Sequence, residues 1–254
     1  MKRNTEKRRK DYWLFCILRG LVRLFSPKFR FHGLENLPEG GCIVAGNHSH
    51  MYGPIVGELY FPGPRRIWCN SQMMILKEVP AYTFYDFWAH KPHWWTWPFY
   101  KILSYMIAPL SMCLFRNAHT IPVYRDNRGI TTFRKTVESL TADERVIIFP
   151  EHYTPRNNII YEFQDKYIDV ARLYYKRTGK ALSFVPMYIC PALKEVHLGK
   201  PTTFDPQAPM EQERARISEY LMTGITDIAT SLPLHTLVPY PNVSKKYYKK
   251  NKEG

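Results

Sequence analysis

The stretch that decides the fold is Ile43-Val44-Ala45-Gly46-Asn47-His48-Ser49-His50-Met51-Tyr52-Gly53-Pro54. Its apolar beginning is typical of a buried strand, and Asn47 and His48 follow where that strand ends. About a hundred residues later, a second apolar run, Val146-Ile147-Ile148-Phe149, ends in Pro150-Glu151 in the same way. Open α/β sheets bind ligands beyond the carboxyl ends of their strands. The two loops after these strands are therefore predicted to form the functional site.

The remaining patterns alternate between short apolar runs and segments with apolar residues at helical spacing. This alternation predicts one α/β domain, with a mixed, mostly parallel sheet flanked by helices and preceded by an amphipathic helix. At 254 residues the chain is long enough for one core of this kind. The expected strands lie near 29–34, 42–45, 67–69, 121–125, 146–149 and 182–189, and the expected helices near 11–26, 55–61, 129–140, 161–177 and 210–231.

The positive charge is concentrated at the two ends of the sequence. Of the net +14, the first ten residues carry +5 and the last ten carry +4. We therefore divide the chain into a basic tail with an amphipathic membrane-interface helix (1–28), an α/β domain (29–241) and a basic tail (242–254). Basic ends predict an anionic partner surface, either lipid headgroups or nucleic acid, although solvated tails without a partner have the same composition.

Two segments have the composition of a membrane interface. Residues 11–26 form an amphipathic pattern with Arg19 and Arg23 on one side, and 82–115 contains four tryptophans and further aromatic residues. Packing into a core explains either segment as well. The apolar run 102–115 is too short to predict a transmembrane span, and the N-terminus lacks the features of a secretory signal.

The five cysteines are scattered among apolar residues without a C-x-x-C pair, which indicates reduced thiols. With the basic ends, this predicts a cytoplasmic protein bound peripherally to the inner face of the cell membrane. Nucleic acid is a weaker alternative partner, because the aromatic residues cluster with apolar residues rather than with Lys and Arg.

The order of four motifs resembles the lysophospholipid acyltransferase family, which includes 1-acyl-glycerol-3-phosphate and glycerol-3-phosphate acyltransferases. The resemblance covers about residues 30–205. Its motifs are Asn47-His48, Ile121-Pro122-Val123-Tyr124-Arg125, Ile148-Phe149-Pro150-Glu151, and Val185-Pro186 followed by Gly199-Lys200-Pro201.

This resemblance implies that His48 is the general base of an acyl transfer and that Arg125 binds the acceptor phosphate. The resemblance also implies that Glu151 is a catalytic residue beside His48, where it is expected to order the loop or an acceptor hydroxyl. A base must remove the acceptor proton, and arginine binds phosphate through two parallel hydrogen bonds. The other residues predicted to contact substrate are Asn47, His50, Gly53, Phe149, Pro150, His152 and Arg156.

The sequence departs from the family pattern at its chemical centre. The first motif reads N-H-x4-D, but Gly53 stands where the aspartate belongs. The third reads F-P-E-G-T-R, whereas His152 replaces the glycine and Arg156 comes two residues late. An aspartate in that position holds the histidine tautomer and stabilises the imidazolium, so its loss weakens the expectation of activity. Either His50 or His152 could lie beside His48 instead.

The predicted function is a membrane-associated acyltransferase that moves an acyl chain from acyl-CoA or acyl carrier protein to a lysophospholipid or 1-acyl-glycerol-3-phosphate hydroxyl. The acyl donor is a co-substrate, and no cofactor or metal is predicted. The alternative is a catalytically impaired relative that binds lipid surfaces. A metal site built on His48 and His50, with His152 or the pair His90 and His93, is a weaker possibility, because no carboxylate stands at matching spacing.

Overall fold

The computed structural model describes residues 11–88 and 93–252. Its helices are α1 (Tyr12–Phe25), α2 (Tyr52–Leu59), α3 (Val79–Thr83), α4 (Trp97–Asn117), α5 (Gly129–Thr141), α6 (Val170–Thr178) and α7 (Met210–Ser231). Its strands are β1 (Arg30–His32), β2 (Ile43–Gly46), β3 (Arg65–Asn70), β4 (Thr120–Val123), β5 (Arg145–Ile148), β6 (Glu151–Pro155), β7 (Tyr161–Phe163), β8 (Ser183–Cys190), β9 (Glu195–Leu198) and β10 (Thr202–Thr203).

The described chain divides into two compact units. The first contains the described residues up to Pro27 together with Cys69–Tyr124, and the second contains Lys28–Trp68 and the described residues from Arg125 onward. The predicted sheet lies mainly in the second unit, in which strands and helices alternate.

The second unit is built on a sheet with the strand order β1-β9-β8-β2-β5-β3. Strands β8, β2, β5 and β3 are parallel to one another, while β9 and β10 run antiparallel to β8. The mixed, mostly parallel α/β fold is thus confirmed. Strand β2 is fully buried because it lies between β5 and β8, as its uninterrupted apolar sequence predicts.

Helix α7 follows the predicted pattern, since Ile217, Leu221 and Ile225 are all buried. The helix predicted over residues 161–177 is wrong in its first part. Residues Tyr161–Phe163 form strand β7, which pairs with β6 in a separate two-stranded sheet. The α-helix there begins only at Val170, after a 3-10 turn.

The first unit exposes apolar side chains on two helices that pack against each other. On α1, Trp13, Ile17, Leu21 and Leu24 are exposed at helical spacing. The stretch Trp94–Asn117, which contains α4, is long and apolar enough to cross a membrane by length and composition, although a core helix passes the same test. It is longer than the run recognised from the sequence. The exposed residues of α4 include Phe99, Ile102, Tyr105, Met106 and Leu110.

Candidate functional site

The site forms where β2 and β5 end, because these neighbouring parallel strands release their loops at the same edge of the sheet. The backbone amide of His48 donates a hydrogen bond to Oε2 of Glu151 at 2.6 Å. Oε1 of Glu151 accepts a second backbone bond, from Tyr161 at 3.2 Å. Glu151 therefore joins the loop after β2 to the hairpin of β6 and β7.

The Asn47 side chain bonds the main chain of Ile189 in β8, as the main chain of one more β2 residue would. Its Oδ1 accepts from the Ile189 amide at 2.7 Å, and its Nδ2 donates to the Ile189 carbonyl at 3.1 Å and to Ser49 Oγ at 2.7 Å. The amide group is buried and uses both of its N–H bonds. Asn47 thus holds the loop in place while the main chain turns away from the sheet.

The loop turns sharply after His48. Ser49 and His50 both have left-handed backbone conformations, with φ of 46° and 52°. Two such non-glycine residues cost on the order of 1–3 kcal/mol each, so the surrounding contacts must fix them. The Gly53 amide then donates to the His48 carbonyl at 3.0 Å, and this bond closes the turn that leads into α2.

Gly53 has no room for a side chain. A Cβ atom at this position would lie 2.5 Å from the His48 carbonyl oxygen and 3.0 Å from Cε1 of Phe149. An aspartate therefore cannot be accommodated there without movement of the backbone. The departure from the family motif is built into the packing of this loop.

The His48 imidazole packs against two aromatic rings. Phe149 lies 5.3 Å away between ring centroids, and Tyr240, from the C-terminal segment, lies 5.8 Å away on an inclined plane. Two surface hollows of this unit run beside α7, and His48 lines neither of them. The side chain of Tyr240 therefore borders the imidazole.

Burial lowers the pKa of His48 to about 4, and the nearby His50 acts in the same direction, while backbone hydrogen bonds oppose it. Burial also raises the pKa of Glu151 to about 7, although the two amides that it accepts from favour its ionised form. Within residues 11–88 and 93–252, no carboxylate bonds the His48 ring, since Glu151 contacts only the backbone. The imidazole is consequently neutral at neutral pH and lacks an acidic partner.

The C-terminal segment covers this site in the second unit. Nε2 of His50 lies 3.0 Å from the Pro241 carbonyl, and the His50 ring meets Tyr248 edge-on. Asn251 anchors the segment, because its buried side chain accepts from the His235 amide and donates to the Ala229 carbonyl. Sequence reasoning missed Tyr240 as a residue of the site, and no local pattern distinguishes it.

The other predicted residues are distributed around this centre. Pro150 is buried, and its carbonyl accepts from Gln164. His152 is exposed and contacts Thr154 rather than His48. Arg156 donates to Glu219 at 2.5 Å and lies 3.7 Å from Glu162, so its charge is already neutralised. Arg125 is exposed, at the start of the segment that leads into α5.

The described residues contain one group of three potential metal ligands, His32, Glu195 and His197. His48, His50, His93 and His152 do not belong to it, and His90 lies outside the described residues.

No protein-family model matches the chain, and no curated protein matches its sequence. Among solved structures, it is similar to the 1-acyl-sn-glycerophosphate (LPA) acyltransferase PlsC from Thermotoga maritima. The identity is 15%, the match covers 90% of this chain and 84% of that chain, and the TM-score is 0.47.

Proposed function

We propose that this protein is a membrane-associated O-acyltransferase that acylates the hydroxyl of a lysophospholipid or 1-acyl-glycerol-3-phosphate, with acyl-CoA or acyl carrier protein as the donor. The observation that carries the proposal is the 2.6 Å bond between the His48 amide and Glu151. It joins the histidine motif and the Phe-Pro-Glu motif, which the sequence separates by about a hundred residues, at one edge of the sheet.

In the proposed reaction, the neutral imidazole of His48 removes the proton from the acceptor hydroxyl. The hydroxyl oxygen forms an ester bond with the acyl carbonyl carbon, the carbon–sulfur bond breaks, and the leaving thiolate receives the proton from His48. A pKa near 4 keeps His48 unprotonated at neutral pH but makes it a weak base. Glu151 acts as a positioning residue, since its oxygens hold backbone amides rather than the ring.

Recognition of the acceptor phosphate is assigned to Arg125 rather than Arg156. Arg125 is exposed, and no carboxylate bonds it within the described part of the chain, whereas Arg156 is held by Glu219 and Glu162. An arginine without a carboxylate partner is the better ligand for a phosphate group, because it has no ion pair to break.

Membrane association is supported by the exposed apolar faces of the first unit. Trp13 is 65% exposed and Leu24 is 74% exposed on α1, and Ile102 is 63% exposed on α4. Contiguous apolar surface of this kind typically marks a contact with a membrane or another protein. The net charge of +14 favours an acidic lipid surface, as on the inner face of the cell membrane.

The second candidate function is binding to lipid surfaces without catalysis. It is favoured by a specific observation: within the described residues the His48 ring has no carboxylate partner, and Gly53 leaves no room for one. In this case the aromatic packing around His48 is structural, and the two exposed helices perform the function.

The two candidates are separated by assaying purified protein with acyl-CoA or acylated carrier protein and a panel of lysophospholipids in anionic vesicles. As an acyltransferase, the protein forms ester product, and His48→Ala lowers the rate by roughly 10²–10⁴-fold. His119→Ala, which removes an exposed imidazole from the first unit, keeps the wild-type rate. Vesicle binding without product from any acceptor supports the second candidate, and full activity of His48→Ala excludes the proposed mechanism.

A further inference from the structure

A cluster of two histidines and one glutamate lies across strands β1 and β9, apart from the candidate site. The parallel register places His32 directly beside His197 and Arg30 beside Glu195. Residues two apart in a strand share a face of the sheet. His32, Glu195 and His197 therefore project from the same face, at the outer edge of the sheet.

The ligand atoms of this cluster are close to the separations that a metal ion imposes. Nε2 of His197 lies 3.1 Å from Oε2 of Glu195, and Nε2 of His32 lies 3.7 Å from Oε1. All three residues offer ligand atoms within 4.8 Å of one another. Two ligands held at about 2.0–2.2 Å by one tetrahedral zinc ion are about 3.3 Å apart. Side-chain rotations would therefore bring the three onto one ion.

The two imidazole rings of the cluster lie face to face. Those of His32 and His197 stack at 4.6 Å between centroids with an interplanar angle of only 12°. A metal ion lies in the plane of each imidazole that binds it, so coordination requires one ring to rotate out of the stack about χ2. Glu195 and His197 are largely shielded from solvent, with 15% and 18% of their side chains exposed, whereas His32 is about half exposed. The cluster thus combines two held ligands with one that is open to solution, which provides an entry path.

We propose that His32, Glu195 and His197 form a binding site for a divalent transition metal, with zinc as the best match. Two imidazoles and one carboxylate suit zinc better than magnesium or calcium, which prefer oxygen ligands throughout. A bound ion would link the three-residue strand β1 to β9 and so stabilise the edge of the sheet. This inference does not depend on the proposed acyltransferase function.

Arg30 is the competitor for this site. Its Nη2 donates to Oε1 of Glu195 at 2.8 Å, and its side chain is 74% exposed. An ion pair with an exposed guanidinium contributes little to stability, far less than a zinc ion gains from three ligands. The guanidinium therefore orients the carboxylate without preventing coordination, and its removal should strengthen metal binding.

The test is zinc binding by the full-length protein, measured by isothermal titration calorimetry and by metal content after dialysis. We expect one zinc ion per chain for the wild type and for the control His119→Ala. His32→Ala, His197→Ala and Glu195→Gln should each bind at least about tenfold more weakly. Arg30→Gln should bind several-fold more tightly than the wild type.

Zinc should also raise the unfolding midpoint of the wild type but not that of His32→Ala, whose partly exposed side chain can be removed with little effect on folding. Substitution by Co²⁺ should give the absorption spectrum of a tetrahedral site, and this spectrum should be lost in the same variant. Absence of zinc binding by the wild type, or unchanged affinity in both histidine variants, would overturn the proposal. Weaker binding by Arg30→Gln would also contradict it, independently of any folding defect in the other variants.

Discussion

The backbone amide of His48 and the carboxylate of Glu151 meet at 2.6 Å across 103 residues of sequence. Glu151 is buried and His48 is partly buried. Burial favours the neutral form of each side chain, so it lowers the pKa of the imidazole and raises the pKa of the carboxyl group. Their contributions to stability consequently depend on pH in opposite directions.

The first prediction is that the contributions of Glu151 and His48 to the free energy of unfolding change in opposite directions with pH. Glu151 has a pKa of about 7 against an ordinary value of 4.5, so the native state binds more protons between these values, and its contribution to stability falls as the pH rises from 4.5 to 7. His48 has a pKa of about 4 against 6.5, so its contribution rises between pH 4 and 6.5. Each change is on the order of 3 kcal/mol.

Urea unfolding of the wild type, Glu151→Gln and His48→Gln at several pH values measures these terms. The stability difference between the wild type and Glu151→Gln should decrease with pH, and that between the wild type and His48→Gln should increase. Parallel pH profiles for all three proteins would contradict the assignment.

The second prediction concerns Gly53. Gly53→Ala places a Cβ 2.5 Å from the His48 carbonyl oxygen, so we expect the free energy of unfolding to fall by about 1–3 kcal/mol. Gly53→Asp should destabilise the protein further and should not increase turnover, although it restores the family motif. Thermal and urea unfolding measure the first effect, and the acyltransferase assay measures the second.

Gly20 provides a matched control, because a Cβ added there meets no atom within 4 Å apart from its chain neighbours and the α1 backbone, and the residue is inside α1. Gly20→Ala should stabilise the helix by about 0.5–1 kcal/mol. An equal change in the free energy of unfolding for Gly53→Ala and Gly20→Ala would show that the loop adapts more easily than the packing indicates. A gain in activity for Gly53→Asp would show the same.

The third prediction concerns Tyr240 as the cover of His48. Tyr240→Ala removes the ring that lies 5.8 Å from the imidazole, and water then reaches a group whose pKa is lowered by burial. The pKa of His48 should therefore rise from about 4 toward its ordinary value of 6.5. NMR titration of the His48 ring protons measures the shift. Tyr247→Ala, at a residue that is 64% exposed, should leave it unchanged, and an unaltered pKa in Tyr240→Ala would mean that Phe149 and the loop alone bury the ring.

The fourth prediction concerns the apolar face of α1. Replacement of Leu21 and Leu24 by Glu removes apolar area and introduces charges that acidic lipid repels. Binding to vesicles of phosphatidylcholine and phosphatidylglycerol should weaken at least about tenfold, since each buried leucine contributes roughly 1.5–3 kcal/mol. Sedimentation with vesicles measures the change.

Ile130→Glu is the control for that experiment, because Ile130 is 79% exposed at the start of α5 in the other unit. It should bind vesicles as the wild type does. Equal losses in both variants would indicate a general effect of charge rather than docking through α1.

The elements predicted best are those with long periodic patterns. Helix α7 has twenty-two residues, and its apolar stripe determines which face is buried. Strand β2 is recognisable because a strand between two parallel neighbours is apolar throughout. The segment 161–177 was misassigned because Tyr161 and Phe163 fit a period of two as well as a helical period. Their pairing with β6 is a long-range contact that local spacing does not contain.

The site was predicted as a location but not as a set of contacts. The motif order identified the loops that carry His48 and Glu151, yet the bond runs from a backbone amide, which has no signature in sequence. The sequence analysis missed the cluster across β1 and β9. Glu195 and His197 are two residues apart, a spacing that a search for paired metal ligands could find. His32 joins them only through the strand register.

The hydrogen bonds of Asn47 affect how readily this side chain deamidates in the folded protein. An asparagine loses ammonia when the backbone nitrogen of the following residue attacks its side-chain carbonyl carbon. Here that nitrogen, in His48, is bound to Glu151, and the carbonyl oxygen is bound to the Ile189 amide. These bonds fix the side chain and the His48 peptide in place, so the native fold restricts the approach of this nitrogen to the side-chain carbon and slows deamidation. Conversion to aspartate would set a carboxylate against the Ile189 carbonyl, so storage in denaturant should cause a slow, irreversible loss of refolding competence.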